Sequence, residues 1–220
     1  LRGAHFYTGA PTYGPQHIEG LQFVRNAAGD TLWLSGSRSP DGSRVVFAIS
    51  TSTQAIMPFV QAEKVTPSAY QVLMRPTEGS GVQSIAYGYA PAFLDDTHIS
   101  YFTDAGIAVM DTQTGEATLL FRYPAGTVLS SGVRYSPDRR TVLWTDAMTG
   151  ESVAGSITPS AYTPLSTFKD LASPVLGNAA VYELRRTHEG QELWKRTLDG
   201  SSSAKVLTLP ASLSILTMAL

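Results

Sequence analysis

Short apolar runs separated by turn-forming residues make up most of this chain. The segment Ser39–Gly42 (Ser-Pro-Asp-Gly) shows the pattern most clearly, because the apolar run Val45–Phe47 follows it almost directly. Proline presets φ for the first central position of a turn, aspartate accepts hydrogen bonds from the turn backbone, and glycine tolerates a left-handed conformation. The pattern predicts a tight turn leading into a β-strand. No segment has the apolar spacing of three and four residues that indicates an amphipathic helix.

The same turn-and-strand pattern recurs along the chain. Residues 40–47 align with residues 94–101 and 137–144, and more weakly with residues 176–183, where Leu-Gly-Asn replaces Pro-Asp-Gly. The copies lie roughly forty to fifty residues apart, a period that fits the four short strands of a β-propeller blade. We therefore expect each copy to form the turn between the first and second strands of a blade.

A second duplication is the pentapeptide Thr-Pro-Ser-Ala-Tyr, found at residues 66–70 and again at residues 158–162. Because proline interrupts a strand ladder, both copies are predicted to form the turn between the third and outermost strands of a blade. We expect the turn to anchor Tyr70 and Tyr162 on the adjacent blade rather than to present them to a ligand.

The repeat between Tyr89 and Arg122 gives the clearest strand pattern. Its strands are predicted at residues 89–93, 97–103, 107–111 and 116–122, and the third reads Ile-Ala-Val-Met-Asp before a glycine-containing turn. With Ser39–Phe47 and Ser136–Trp144, this repeat resembles those of TolB-like β-propellers, which are relatives of the WD-repeat family. The resemblance covers roughly residues 31–209 and implies an all-β propeller of four-stranded antiparallel blades.

The ends of the chain predict a fifth blade assembled from both termini. Residues 213–220 follow the last repeat where an innermost strand belongs, residues 21–25 would supply the outermost strand, and residues 5–8 a middle strand. Joining both termini in one blade closes the ring and removes exposed sheet edges. We expect a single domain over residues 1–220; the alternative is a piece of a longer chain with more blades.

Composition bounds the partners and the chemistry. The 16 basic and 18 acidic residues leave no charge excess that would indicate nucleic acid as a partner. The absence of cysteine excludes a disulfide scaffold and cysteine-based metal sites. Lysine is scarce and serine and threonine are abundant, which favours a periplasmic, cell-surface or extracellular location. No apolar stretch of the sequence is long enough to span a bilayer.

No catalytic, cofactor-binding or metal-binding residues emerge from the motifs. The four histidines lack the short spacings of zinc sites, and the pair Asp95–Asp96 aligns with the recurrent turn, where Asp41 and Asp138 also lie. Ser136–Trp144 begins like the Asp box of sialidases, but it lacks the glycine and its tryptophan is displaced by one residue. Three arginines that end apolar runs are expected to mark a structural period: Arg25, Arg75 and Arg122. The histidines are His5, His17, His98 and His188.

The sequence therefore predicts a non-catalytic propeller outside the cytoplasm that serves as a protein-binding or scaffolding module. The segment 50–69 carries an insertion and an apolar stretch that is the candidate partner-binding loop. Its four candidate contact residues are Ile56, Met57, Phe59 and Val60. An ordinary strand with a wide turn is the simpler interpretation of the same stretch.

Two alternatives stay open. The chain could be the propeller domain that gates a separate peptidase domain of the α/β-hydrolase class, as in prolyl-oligopeptidase-like enzymes, although its own residues contain no Gly-x-Ser-x-Gly motif. A glycan-binding or glycosidase propeller is the less favoured alternative, because neither the arginine cluster nor the tyrosine nucleophile of sialidases can be located.

Overall fold

A computed structural model describes residues 22–25, 31–50, 64–78, 81–171 and 174–210. In these ranges the chain forms seventeen β-strands and one short 3-10 turn, Pro67–Ala69, and it contains no α-helix. The strands form four antiparallel sheets, in each of which the strand order follows the chain order. Four successive sheets of this kind are the blade arrangement that the sequence predicted. By internal contacts the chain separates into two compact units of two sheets each.

The first unit holds a five-stranded and a four-stranded sheet. The first sheet contains β1 (Gln22–Arg25), β2 (Thr31–Arg38), β3 (Arg44–Ser50), β4 (Tyr70–Pro76) and β5 (Gln83–Tyr87). The second contains β6 (Tyr89–Phe93), β7 (His98–Thr103), β8 (Gly106–Asp111) and β9 (Ala117–Arg122).

The second unit holds two four-stranded sheets. One contains β10 (Arg134–Tyr135), β11 (Thr141–Thr145), β12 (Ser152–Thr158) and β13 (Ala161–Phe168). The other contains β14 (Val175–Leu176), β15 (Ala180–Thr187), β16 (Gly190–Thr197) and β17 (Ser203–Pro210).

The recurrent turn lies between the first and second strands of the three four-stranded sheets, as predicted, and between β2 and β3 of the five-stranded sheet, in which β1 precedes them. In the first copy, the buried Ser39 donates its Oγ hydrogen to Asp41 Oδ1 and accepts the Arg44 N–H at 2.9 Å. In the third copy, Ser136 Oγ lies 2.6 Å from Asp138 Oδ1 and accepts the Thr141 N–H at 3.0 Å. The serine hydroxyl therefore closes the turn and satisfies the first N–H of the following strand.

The same turns connect adjacent sheets within each unit. The Asp41 N–H donates to Asp96 Oδ1 at 2.8 Å, and the Asp138 N–H donates to Asn178 Oδ1 at 3.0 Å. Asp96 and Asn178 occupy the same position of the repeat, one residue after Asp95 and Gly177. We refer to these two hydrogen bonds as the turn-to-turn bonds.

Apolar side chains from adjacent sheets form the cores of the units. In the first unit, Val46 and Val72 of one sheet pack with Phe93, Ile99 and Tyr101 of the other. A side chain on Gly88 would place its Cβ 2.5 Å from the Tyr101 ring, so glycine is required there for the aromatic to pack. In the second unit the buried cluster consists of Leu143, Ala154, Phe168, Leu176 and Val181.

The prediction for the duplicated pentapeptide was half right. Residues 158–162 form the turn between the third and fourth strands of their sheet, as predicted. Residues 66–70 instead lie between β3 and β4: Pro67 begins a 3-10 turn, and Tyr70 is the first residue of β4. The prediction for this copy was wrong because two further strands of the sheet, β4 and β5, follow it, and β5 is the outermost one.

Tyr70 packs on the adjacent sheet as expected, whereas the hydrogen-bond partner of Tyr162 lies in its own sheet. Tyr70 lies edge-on to Tyr89 of the neighbouring sheet, with ring centroids 5.0 Å apart. Tyr162 is buried, and its hydroxyl accepts the Trp144 Nε1–H at 3.0 Å.

The predicted fifth blade falls largely outside the described residues. Segments 5–8 and 213–220 lie there, so this part of the prediction stays open. Gln22–Arg25 is a strand, and it pairs with the first half of β2, whose second half pairs with β3. Among the described residues, no helix is long and apolar enough to cross a membrane.

The turn-to-turn bonds give a stability prediction. Replacing Asp96 with Ala removes the acceptor of the Asp41 N–H and should lower the free energy of unfolding by about 1 kcal/mol, measured by urea denaturation. Asp96→Asn is the matched control, because Asn178 already supplies an amide oxygen at the equivalent position. An Asn variant as destabilised as the Ala variant would contradict this role.

Candidate functional site

The candidate partner-binding residues Ile56, Met57, Phe59 and Val60 lie outside the described residues. The part of their segment that the structure describes begins at Lys64, which forms a β-bridge with Ser130. Val65 is buried, and its N–H donates to the Leu129 carbonyl at 2.8 Å. These contacts belong to the second unit.

The histidines of the described residues have local partners. His98 Nδ1 lies 3.0 Å from both carboxylate oxygens of Asp95, within the turn of the second sheet. His188 is exposed at a hairpin tip beside Glu189. His5 and His17 lie outside the described residues. No group of three metal-ligating side chains occurs within the described ranges.

Perturbed carboxyl groups are explained by the turns that contain them. Hydrogen bonds from Ser39, followed by those from Ser43, lower the pKa of Asp41 to about 2. The pKa of Asp199 is lowered to about 2 by its hydrogen bonds with Thr197 and Ser201. Partial burial raises the pKa of Asp95, but hydrogen bonds from Thr97 and His98 outweigh burial and lower it overall. Each shift reflects a carboxylate that accepts turn hydrogen bonds, and none belongs to a nucleophile paired with a base.

A cavity of about 460 Å³ lies in the first unit beside the connection from β4 to β5. Arg44 contributes to its wall, but the Arg44 guanidinium donates to the Asp96 carbonyl and to Thr112 Oγ1 and lies over the Phe93 ring. These contacts hold adjacent sheets together. The other lining residues are Met74, Arg75, Pro76, Gly81, Val82 and Gln83.

The three arginines of the predicted period do not share one position in the sheets. Arg25 ends β1 and Arg122 ends β9, whereas Arg75 lies within β4, between two other strands of its sheet. The prediction that they mark one blade position was wrong for Arg75, because β4 is not an outermost strand.

The most unusual polar group is a buried glutamate in the last sheet. Glu183 lies on β15 at the repeat position that holds Phe47, Tyr101 and Trp144 in the other three sheets. Those three aromatics are buried, and the Glu183 side chain is likewise 0% exposed. Burying a carboxylate is unfavourable unless its charge is compensated.

Two arginines compensate this charge through a single oxygen. Glu183 Oε1 accepts a hydrogen bond from Arg185 Nε at 2.7 Å and a second from Arg185 Nη2. Arg196, on the paired strand β16, places Nε 2.9 Å and Nη2 2.8 Å from the same oxygen. Glu183 Oε2 is buried and has no hydrogen-bond partner among the described residues.

Further side chains lie around Glu183, Arg185 and Arg196 on the same side of the sheet. The Arg185 guanidinium lies 4.4 Å from the centroid of Trp194, which is directly opposite Glu183 on β16. Glu192 accepts hydrogen bonds from Trp194 Nε1 and from Lys205 Nζ, both at 2.9 Å. Both hydrogen bonds lower the pKa of Glu192, and the one from Lys205 has the larger effect.

Reasoning from the sequence missed this cluster. The sequence alignment places Glu183 in register with three aromatics, but the fourth repeat matches the others only weakly. A charged residue at an aromatic core position of a repeat was the available signal. Arg185 lies two residues further along the same strand and so on the same face, but Arg196 could not be paired with Glu183 before the register of β15 and β16 was known.

No protein-family model matches the chain, and no curated protein matches it in sequence. Among solved structures, an oligogalacturonate lyase in complex with manganese is similar, with a TM-score of 0.56, 8% identity, and coverage of 80% of this chain and 54% of that one. A structure from a study of two prolyl endopeptidases has a TM-score of 0.51 at 11% identity, over 80% of this chain and 26% of that one.

TolB from Acinetobacter baumannii is also similar, with a TM-score of 0.49 and 15% identity, over 81% of this chain and 46% of that one. This chain thus spans about half the length of the lyase and less of the other two. At these identities the likenesses concern the fold. The predicted fold class, an all-β propeller of four-stranded antiparallel blades, is confirmed.

The turn hydrogen bonds give a pH prediction. The native pKa of Asp41 lies below its unfolded value, so the ionised carboxylate stabilises the fold above about pH 4. That contribution is lost as the pH falls towards the native pKa of about 2. Ser39→Ala should raise the Asp41 pKa towards its ordinary value, which NMR titration of the carboxyl carbon measures. The acid-dependent loss of stability should become smaller for the same reason.

Ser136→Ala is the matched control, because Ser136 closes an equivalent turn of another sheet. In that variant the pKa of Asp41 should stay at about 2. An Asp41 pKa that also stays there in the Ser39 variant would show that the serine is not its main cause.

Proposed function

We propose that this chain is a non-catalytic β-propeller that binds protein partners, as a scaffolding module in the cell envelope or outside the cell. The observation that carries the proposal is the exposure of large apolar side chains along the outermost strands. Such residues are exposed on β9, β13 and β17 and on or beside β5: Val82, Tyr87, Leu119, Leu165, Val206 and Leu207. Exposed apolar groups gathered on sheet edges favour association with other proteins.

The clearest of these strands is β17, the edge of the last sheet. Val206 is 54% exposed and its neighbour Leu207 is 45% exposed. The pairing of β17 with β16 is irregular here: Leu207 lies opposite Leu193 and Lys205 lies opposite Trp194, which leaves Val206 as the extra residue of a bulge. The edge strand therefore presents two adjacent exposed apolar side chains at this bulge. Edge strands are usually protected by charges, and in this eight-residue strand Lys205 is the single charged residue. Lys205 is itself held by Glu192.

The charged groups of the described residues support binding rather than catalysis. The lowered pKa values of the carboxyl groups come from turn hydrogen bonds or, for Glu192, from hydrogen bonds with Lys205 and Trp194. Burial raises the pKa values of the Tyr101 and Tyr162 hydroxyls. None places a nucleophile beside a general base. The proposed location rests on composition, and Ile56, Met57, Phe59 and Val60 remain a proposed second contact region.

Replacing Val206 and Leu207 with Thr should weaken partner binding by about tenfold or more, because two exposed apolar side chains that a partner would bury are lost. Threonine keeps the strand propensity, so thermal stability should change little. The measurement is quantitative cross-linking in envelope extracts, followed by a dissociation constant for each purified partner.

Met148→Thr is the matched control, since Met148 is exposed and apolar but lies in the turn between β11 and β12 and not on an outermost strand, and its replacement should leave partner binding unchanged. A second variant replaces residues 56–60 with Ser and Gly. Partner binding that is unchanged in both the β17 variant and the 56–60 variant would overturn the proposal.

The alternative is a propeller domain of a larger enzyme, either one that gates a peptidase or one that acts on glycans. The similarity to the prolyl endopeptidase and oligogalacturonate lyase structures makes the fold compatible with both. A Gly-x-Ser-x-Gly motif in the open reading frame beyond residue 220 would favour the peptidase. Turnover of an oligogalacturonate by the purified chain would favour the glycan-directed enzyme.

A further inference from the structure

We propose that Arg185 and Arg196 form a carboxylate-binding site that Glu183 holds in position. The site is on β15 and β16 and is separate from the apolar surface of Val206 and Leu207, so it does not depend on the function proposed above. Its ligand is a carboxylate-bearing molecule, whose planar anionic group matches the planar guanidinium.

The first argument is the charge balance of the cluster. Arg185, Arg196 and Lys205 provide three positive charges on this side of the sheet, against two negative charges from Glu183 and Glu192. Lys205 is paired with Glu192, which leaves two guanidinium groups sharing a single carboxylate. One positive charge is therefore uncompensated by the described residues of the cluster.

The second argument is the donors that remain. Nε and Nη2 of both Arg185 and Arg196 contact Glu183 Oε1. Within the described part of the chain, Nη1 of each arginine has no protein acceptor. The two guanidinium groups are neighbours, because both lie within hydrogen-bond distance of one oxygen. Their side chains are 35% and 23% exposed, so solvent and small ligands can reach them.

The third argument is that the arrangement is poorly suited to stability alone. Three repeats place an aromatic at this position, whereas the fourth buries a carboxylate and leaves its Oε2 without a partner among the described residues. An unpaired buried acceptor is costly, and an apolar residue of similar volume usually serves stability as well or better. What Glu183 adds is orientation: it fixes two long, flexible side chains, with further support for Arg185 from the Trp194 ring.

The test is a titration of the full chain with three probes: a tetraglutamate peptide, trigalacturonate and inorganic phosphate. Binding is followed through the Nε–H signals of Arg185 and Arg196 by NMR. We expect saturable shifts with a carboxylate probe, and the peptide and the sugar acid distinguish the two sources of that group. Equal or tighter binding of phosphate, or no shift with any probe, would overturn the proposal.

Variants with matched controls locate the site. Arg185→Gln or Arg196→Gln should weaken carboxylate binding about tenfold, the scale of one charge-assisted hydrogen bond. Arg186→Gln and Lys195→Gln remove the same charge from adjacent positions on the opposite face of the same strands and should change the affinity less than twofold. An equal loss of affinity in the control variants would show that the carboxylate is held by general charge attraction and not by a specific site.

Glu183→Gln separates positioning from charge. It makes the protein more positive by one charge, so simple attraction predicts tighter carboxylate binding. Positioning predicts the reverse, a loss of about tenfold, because a neutral amide holds the two arginines less firmly. Tighter binding would overturn the role of Glu183.

If Glu183→Gln does not fold, Arg185→Lys is the second test. It keeps the charge and removes the planar fork, and it should lose affinity as Arg185→Gln does. Affinity equal to that of the unaltered protein would overturn the site.

Discussion

The hydrogen bonds of the recurrent serine–aspartate turn are the constraint on which the described architecture depends. In the first and third copies the turn fixes where the following strand begins, because the buried Ser39 and Ser136 accept the first N–H of that strand. In the second copy Asp95 accepts the His98 N–H instead. Because side chains alternate along a strand, an error of one residue would exchange the core and solvent faces. The apolar pairs of the core, such as Val46 with Phe93 and Leu143 with Val181, require this register. The turn thus determines which side chains can reach the interface between neighbouring sheets.

The turn-to-turn bonds carry the same constraint from one sheet to the next within a unit. Asp96 and Asn178 differ in charge but present the same oxygen to the same backbone N–H. Hydrogen-bond geometry is therefore what the two turns have in common, and the charge of the acceptor is free to vary. This explains why the fourth repeat keeps its place in the fold although it lacks Pro-Asp-Gly.

Much of the fold could be predicted because its signals are local. Proline, aspartate and glycine at residues 40–42 identify a turn wherever they occur, and an apolar run after them identifies a strand. The pentapeptide copies show the limit of that reasoning. Identical residues at 66–70 and 158–162 occupy different connections, because strand pairing with β5 and β13 is non-local. The Glu183 cluster was missed for the same reason, since its partner Arg196 becomes adjacent only through the pairing of β15 with β16.

A repeat fold also determines where a binding site can arise at low cost. A core position that three sheets fill with Phe47, Tyr101 and Trp144 shows what packing alone selects. At the same position Glu183 requires Arg185 and Arg196, and it holds them so that they lose less conformational freedom when a ligand arrives. The other sheets keep the fold stable while one sheet departs from the pattern. The departure from the repeat, rather than the repeat itself, is therefore where specific recognition is to be sought in this chain.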